Sequence, residues 1–403
     1  MKMRRVFLRM IMLASIMILL GSIPSYAEEV RGVTKDTIKV GVIVDMTGPA
    51  AYILSPACEA YRTYFHYVND QGGLHGRKVK LIVEDDRYSI PMAVAAYKKL
   101  IYKDKVLAIL SMGGSGQHKA LYDQIEKDKI PVLSNIAWSY HVSNPLKRYS
   151  FHTSNDNIDE IKLMVDYIVK NVDKEKLRLA YVYTDHEVGK SGFGQLKESL
   201  KSYGLELLGK EVVDLAAFDA SSQVLNLKRN RINFIISFTG VGGGIAMLKD
   251  AKRLGYFPVI MSSFHLIGDD TIQIVGQAAK NLLMIGSVGS WYDDEPGSRR
   301  MREITLQHHS GSIEKFKLNR HYAKFWVTAM ILAEGLKNAG RSLDQETLVA
   351  GLEKIKDLDT GGLMPPISFS PTRRKAHDSG KFYKADVERE HFVAISRWVR
   401  PAH

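Results

Sequence analysis

Residues 38–49 read IKVGVIVDMTGP, and residues 69–86 read NDQGGLHGRKVKLIVEDD. The first opens on a continuous apolar run, Ile38 to Val44 around Lys39, which reads as a strand buried on both faces. Asp45, Thr47, Gly48 and Pro49 break it into a loop. Between the two stretches, Cys58, Tyr61, Phe65 and Val68 recur at i, i+3, i+7 and i+10, one face of a helix. Asn69 to Gly73 stop that helix, with glycine available for a left-handed cap. A second apolar run, Val79 to Val83, follows. Strand, helix, strand joined this way predicts a parallel pair with a right-handed crossover.

Outward from this unit the pattern repeats. A helix is expected over 91–102, a strand over 106–110, a helix over 117–128, a strand over 130–133 and an extended piece over 149–153. A second set begins near Ser154. It has a helix over 159–171, strands over 179–183 and 234–238, and helices over 193–203 and up to Leu254. Strands over 258–262 and 282–286 close the sheet. Alternating βα units in two sets predict an α/β protein of two doubly wound parallel-sheet lobes. Residues 291–296 read as a turn-rich link and 316–339 as a helix, with Tyr322, Phe325, Met330 and Leu336 available for packing. Residues 367–369 and 392–398 read as edge strands of the second lobe.

Residues 1–27 carry Lys2, Arg4, Arg5 and Arg9 without an acid, then an apolar core from Ile11 to Leu20, then Ser25-Tyr26-Ala27. That order is a secretory signal peptide, cleaved after Ala27. The apolar run is shorter than the ~20 residues a membrane span needs. The remaining chain has 52 basic against 44 acidic residues, a charge of +8. The basic residues are spread rather than gathered into an aromatic-interleaved patch, so no nucleic-acid partner is expected. One cysteine, Cys58, means no internal disulfide and an expected buried, inert thiol.

In open parallel sheets, ligands collect outside the carboxyl ends of the strands. The loops there are 45–53, 111–117, 134–140, 184–189, 239–244 and 262–266, drawn from both sets. The loop Gly113-Gly114-Ser115-Gly116-Gln117 follows a strand and opens a helix. Its Gly116 and Gln117 N–H groups and the Ser115 hydroxyl offer donors for a carboxylate. The alternative is a tight turn that needs glycine for its backbone. The same loop misses a nucleophile elbow, since Gln117 stands where the last glycine belongs. Gly240-Val241-Gly242 misses the third glycine of a dinucleotide fingerprint at Ile245. His308 and His309 are adjacent and face apart on a helix. No Walker motif, metal-ligand spacing or cofactor motif is found, and an enzyme is not expected.

The ordered set of IKVGVIVDMTGP, NDQGGLHGRKVKLIVEDD, the Ser111–Gly116 loop, IPVLSNIAWS (130–139) and FIISFTGVGGGIAMLKDAKRLGY (234–256) resembles the leucine/isoleucine/valine-binding protein family. These are periplasmic solute receptors of branched-chain amino-acid-type ABC importers. The resemblance covers almost the whole chain after residue 34. It implies a three-crossing hinge, with lobe 1 over 28–153 and 288–359 and lobe 2 over 154–287 and 360–403. It implies a periplasmic monomer, a small-molecule ligand and ABC permease membrane subunits as partners. Some members carry a disulfide in the first lobe, at places that Tyr88 and Gly114 occupy here.

Alignment to that family also implies a ligand set: Tyr52, Ile53, Ser115, Gly116, Gln117, Ala137, Trp138, Ser139, Val188, Gly240 and Phe264. In amino-acid receptors an acid of lobe 2 pairs with the ligand ammonium and an aromatic residue encloses it. FPVIMSSFHLIGDD (257–270) puts Phe264 where that acid would be, and VYTDHEVGKSG (182–192) puts Val188 where a tyrosine would be. The alignment puts Trp138 where a threonine helps hold the carboxylate, or, with a one-residue shift, Ser139. A buried ammonium without an acid costs several kcal/mol. The expected ligand is therefore an apolar or aromatic carboxylate without a free α-amino group. Asp185, Glu187 or Asp269 would restore an amino-acid receptor if one reached the ligand. A ligand-sensing subunit of a membrane receptor would use the same lobes.

Overall fold

The computed structural model describes residues 30–402, apart from residues 216, 266, 310 and 318. The expected signal segment, 1–27, lies outside the described residues. The opening unit forms as read: β1 (Thr37–Val44), α1 (Ala51–Asp70) and β2 (Lys78–Asp85), with β1 and β2 parallel from Thr37↔Lys78 to Val44↔Asp85. Then come α2 (Ile90–Lys98), β3 (Ala108–Met112), α3 (Ser115–Asp128), β4 (Val132–Ser134) and β5 (Ser150–His152). The expected helix over 91–102 is α-helical only to Lys98 and ends in a wider π turn over Lys99–Lys103.

The second set comprises α4 (Asn157–Asn171), β6 (Leu179–Tyr183), α5 (Glu187–Ser202), β7 (Leu207–Val212), α6 (Ser221–Arg229), β8 (Phe234–Phe238), α7 (Val241–Arg253), β9 (Val259–Ser263), α8 (Asp269–Val275) and β10 (Leu282–Gly286). The first sheet has the order β2-β1-β3-β4-β5 and is wholly parallel. The parallel part of the second, β10-β9-β8-β6-β7, repeats that order. Each sheet therefore reverses direction beside its first strand, at β1/β3 and at β6/β8. At such switch points the loops part and leave a crevice.

The chain then forms α9 (Pro296–His308), α10 (Glu314–Lys317), α11 (Arg320–Ala339) and α12 (Gln345–Glu353). α11 is apolar on nearly all sides, as a helix buried in a core must be. It packs on α1 through Tyr61 against Phe325, ring centroids 4.7 Å apart, and Tyr64 against Trp326 at 5.0 Å. Tyr322, Phe325 and Leu336 are buried as expected. Cys58 is buried on α1, and burial pushes its thiol up to about 12, which leaves it protonated and unreactive. Tyr88 and Gly114 are neighbours: a Cβ on Gly114 would sit 2.9 Å from the Tyr88 hydroxyl.

The carboxyl-terminal strands differ from the sequence reading. Residues 367–369 do not join the second sheet. Ile367 makes a lone antiparallel bridge with Leu358, and Phe369 N–H donates to the Ile355 carbonyl. The antiparallel neighbour of β10 is β11 (Lys381–Asp386), and β12 (His391–Ala394) is the edge beyond it. Lys375 bridges His152 at the free edge of β5, so the chain stays beside the first sheet past residue 360. We place the third crossing between Ala376 and Lys381.

Candidate ligand-binding site

A cavity of about 510 Å³ lies between the two sets of loops. One wall is the loop after β1 and the first turn of α1: Met46, Tyr52, Ile53 and Pro56. The opposite wall comes from the second sheet: Val241 after β8, then Phe264, His265, Ile267 and Asp270 after β9. Asn319, Arg320 and His321 close the side from the start of α11. Asn319 is tied to the first wall, since its Nδ2 donates to the Ile53 carbonyl at 2.6 Å. The walls are mainly apolar, with a few convergent polar groups, the usual make-up of a small-molecule site.

Arg320 is the most constrained of those groups. Its side chain is fully buried, its guanidinium lies 4.1 Å from the Tyr383 ring centroid, and its Nε is 3.6 Å from Asp269 Oδ2. That separation is an ion pair but too long for a good hydrogen bond. Among the described residues, Arg320 Nε and Nη1 have no hydrogen-bond partner. Asp269 Oδ1 instead accepts from the Phe392 N–H at 2.7 Å.

Behind this face lies a buried polar cluster. Lys324, one turn along α11 from Arg320, is fully buried, and its Nζ donates to His265 Nε2 at 3.0 Å. Burial pushes its ammonium down to about 7, against the opposing pull of Glu160. Glu160 is itself fully buried, and desolvation holds its carboxyl well above the usual range. Burial, with the Lys324 charge, pushes His321 down to about 3 and His265 well below its ordinary value. Both imidazoles are therefore neutral near pH 7.

Tyr52, Ile53 and Phe264 line the cavity. The other expected site residues do not. Ser115 Oγ accepts from the Trp138 and Ser139 N–H groups, both at 3.1 Å, so the two loops of lobe 1 are stitched together. Trp138 is a wedge between lobes. Its indole stacks on Phe238 at 5.2 Å and on His265 at 4.5 Å, rings of the second set. Ala137 and Ser139 are buried beneath it, and Asn157 at the start of α4 holds the loop by accepting from Tyr140 N–H at 3.1 Å. The Val188 carbonyl accepts from Asn157 Nδ2 at 3.3 Å, and Gly240 N–H donates to Thr184 Oγ1 at 3.0 Å. Gln117 is buried and packs under Gly114, and Gly116 lies half-buried beside Ile90. Gly113 has φ +63, and a Cβ there would sit 2.1 Å from Asp86 Oδ2. That glycine is a backbone requirement.

The three acids considered for an ammonium are engaged elsewhere. Asp185 pairs with Lys190 at 2.9 Å, Glu187 with His141 at 2.7 Å and Lys119 at 3.6 Å, and Asp269 with Arg320. Asp270, half-buried, is the acid on the cavity wall, and burial raises its pKa. Arg320, His321, Lys324, His265, Glu160 and Asp270 were not singled out from the sequence. The available signal was Arg320 and Lys324 at i, i+4 on an otherwise apolar helix, where two cations on one buried face need a reason.

Several known proteins share this architecture. The Leucine-specific-binding protein of Salmonella typhimurium is 20% identical over 332 residues, covering 82% of this chain and 85% of that protein. The Leu/Ile/Val-binding protein of Escherichia coli K12 is 21% identical over 335 residues, covering 83% and 87%. Among solved structures, a branched-chain amino acid ABC transporter protein from Thermus thermophilus with bound valine superposes with a TM-score of 0.83 at 18% identity, covering 92% of this chain and 98% of that one. A fatty acid ABC transporter substrate-binding protein from Thermomonospora curvata gives 0.81 at 22%, covering 94% and 96%. Residues 37–390 match the sequence profile described as periplasmic binding protein. With two lobes of repeated strand order and a cavity between their loops, the chain belongs to the periplasmic binding protein family.

Proposed function

We propose that the chain is the extracytoplasmic solute-binding receptor of an ABC importer, and that its lobes close on a small apolar or aromatic carboxylate lacking a free α-amino group. It is not an enzyme on this reading. The observation that carries the ligand class is Arg320. A buried guanidinium on the cavity wall whose Nη1 has no hydrogen-bond partner among the described residues is costly to leave so. A ligand carboxylate would accept from Nη1 in a charge-assisted bond, while Nε faces Asp269 Oδ2 at 3.6 Å. Met46, Ile53, Val241, Phe264 and Ile267 would take the apolar body. Proteins of this fold include one with bound valine and one from a fatty acid ABC transporter, so wall chemistry, not fold, selects among ligands.

A second reading, an amino-acid receptor, has Asp270 in its favour, the acid that lines the cavity. Burial raises its pKa, which works against an ammonium partner. Calorimetry on the chain without residues 1–27 separates the two, using leucine, phenylalanine, benzoate and medium-chain aliphatic carboxylates. Binding of the simple carboxylates and not of the amino acids is expected. Tight leucine binding that is lost in Asp270→Asn would establish the second reading instead.

A further inference from the structure

On the far side of lobe 1 from the cavity, His66, Asp70 and His308 present one ligand atom each, all within 4.8 Å of one another. We propose that they form a surface site for a divalent late transition-metal ion, Zn²⁺ in the first instance, which clips α1 to α9. His66 Nε2 lies 3.7 Å from Asp70 Oδ2, and His308 Nδ1 lies 3.4 Å from the same oxygen. These separations are long for hydrogen bonds. The 3.4 Å separation matches the edge of a tetrahedron around Zn²⁺ with ligand bonds of about 2.0–2.2 Å, roughly 3.3–3.5 Å, and the 3.7 Å one is a little longer. Two imidazoles and a carboxylate suit Zn²⁺ and leave its fourth position to water.

Local structure brings the three groups together, and the helix ends favour a cation there. His66 and Asp70 are one turn apart and so share a face of α1. α1 ends at Asp70 and α9 ends at His308, so two helix carboxyl termini converge on the site, and both carry partial negative charge. No basic residue stands in the last turn of α1 to offset its end. The His308 ring is also held in place. It meets the His66 ring edge-on at 5.2 Å and the Tyr67 ring at 5.9 Å, and the Tyr67 hydroxyl accepts from Arg300 Nη2 at 2.8 Å. Neighbouring His309 does not take part, since it faces away onto Phe316 at 4.6 Å. The pair of adjacent histidines is a poor chelate by itself, but His308 finds its partners on another helix.

The test uses tag-free chain without residues 1–27, stripped with a chelator and titrated near neutral pH with Zn²⁺ by calorimetry and with Co²⁺ by visible absorption. One metal per chain is expected, with the visible bands of a nitrogen–oxygen tetrahedral Co²⁺ site and a higher thermal midpoint with Zn²⁺. His66→Gln and His308→Gln should each weaken binding about tenfold or more and abolish the bands, while His309→Gln should change neither. Circular dichroism checks that the variants fold. Absence of saturable binding by the parent chain overturns the proposal. So does unchanged affinity in the His66→Gln/His308→Gln double variant.

Discussion

Replacing Lys324 with methionine should stabilise the protein, and by an amount that depends on pH. The ammonium falls from an ordinary 10.5 to about 7, chiefly because it is desolvated. At about 1.36 kcal/mol per pH unit, that difference puts a ceiling near ~4.8 kcal/mol on the cost of keeping it charged in the folded state. Below pH 7 the lysine is charged whether the chain is folded or not, and the folded state bears the whole cost. Between about 7 and 10.5 the unfolded chain holds a proton that the folded chain has released. Stability of the parent protein therefore rises with pH across that window. Methionine keeps the apolar stem and removes the charge, but loses the hydrogen bond to His265, worth about 1–1.5 kcal/mol. Lys324→Met should then be more stable by about 3 kcal/mol near pH ~6, shrinking to roughly 0.5 kcal/mol near pH ~9. Glu160 loses its cation in the variant, but burial already favours its neutral acid. Glu160→Gln in the same background should leave the difference largely intact. Urea unfolding of both proteins at the two pH values is the assay. A variant less stable at both, or a difference that does not change with pH, would refute the reasoning.

Other expectations follow from the same geometry. Arg320→Gln combined with Asp269→Asn, which avoids stranding one buried charge, should weaken carboxylate binding by about 10²-fold, the loss of charge-assisted bonds worth roughly 1.5–3 kcal/mol; calorimetry reads it, and unchanged affinity would remove Arg320 from the site. Trp138→Ala deletes the wedge stacked on Phe238 and His265 and should lower the thermal midpoint, with an expected cost of about 3–5 kcal/mol if the lobes remain closed. His118, His321 and His377 are each pushed down to about 3 by burial. Their folded-state values lie below the unfolded value of 6.5, so they stabilise above it, and stability should fall as pH drops from 6.5 toward 3; a pH series of thermal melts with no loss across that range would contradict it. X-ray scattering should show a larger radius for ligand-free protein than for the carboxylate complex, because the Trp138 stack and the His141–Glu187 pair join lobes that a hinge can part; equal radii at saturation would count against closure.

Much of the architecture was legible in the chain itself. The runs 38–44, 179–183 and 234–238 contain enough consecutive apolar residues to be buried on both faces, as parallel strands covered by helices on both sides are. The helix over 316–339 offered Tyr322, Phe325 and Leu336 for packing, all of them buried, and its true start is Arg320, capped by the Asn319 side chain accepting from His321 N–H. Of the two expected edge strands, 392–398 holds over its first residues as β12, whereas 367–369 was misread because local pattern is weakest there. Ile367–Phe369 is apolar but pairs only at Leu358, whereas Lys381–Asp386 mixes charge with apolar residues and still forms β11, with Lys381 held by Asp293 and Glu295.

Residue identity alone could say that loops at the carboxyl ends of strands would face a ligand, because that follows from βα winding. The family resemblance put Phe264 where an acid would be, and Phe264 stands on the cavity wall with Tyr52 and Ile53. Which other side chains meet there was decided only by the packing of the two lobes. Arg320 and His321 come from the helix that follows the second crossing, and Trp138 is drawn out of its own loop into the rings of the other lobe. Nothing within a window of helical or strand periodicity relates those positions. Their meeting depends on the angle at which one sheet closes over the other, a property of long-range contacts rather than of local propensity. The same holds for His66 and His308, which become neighbours only because two helix ends are brought to one place.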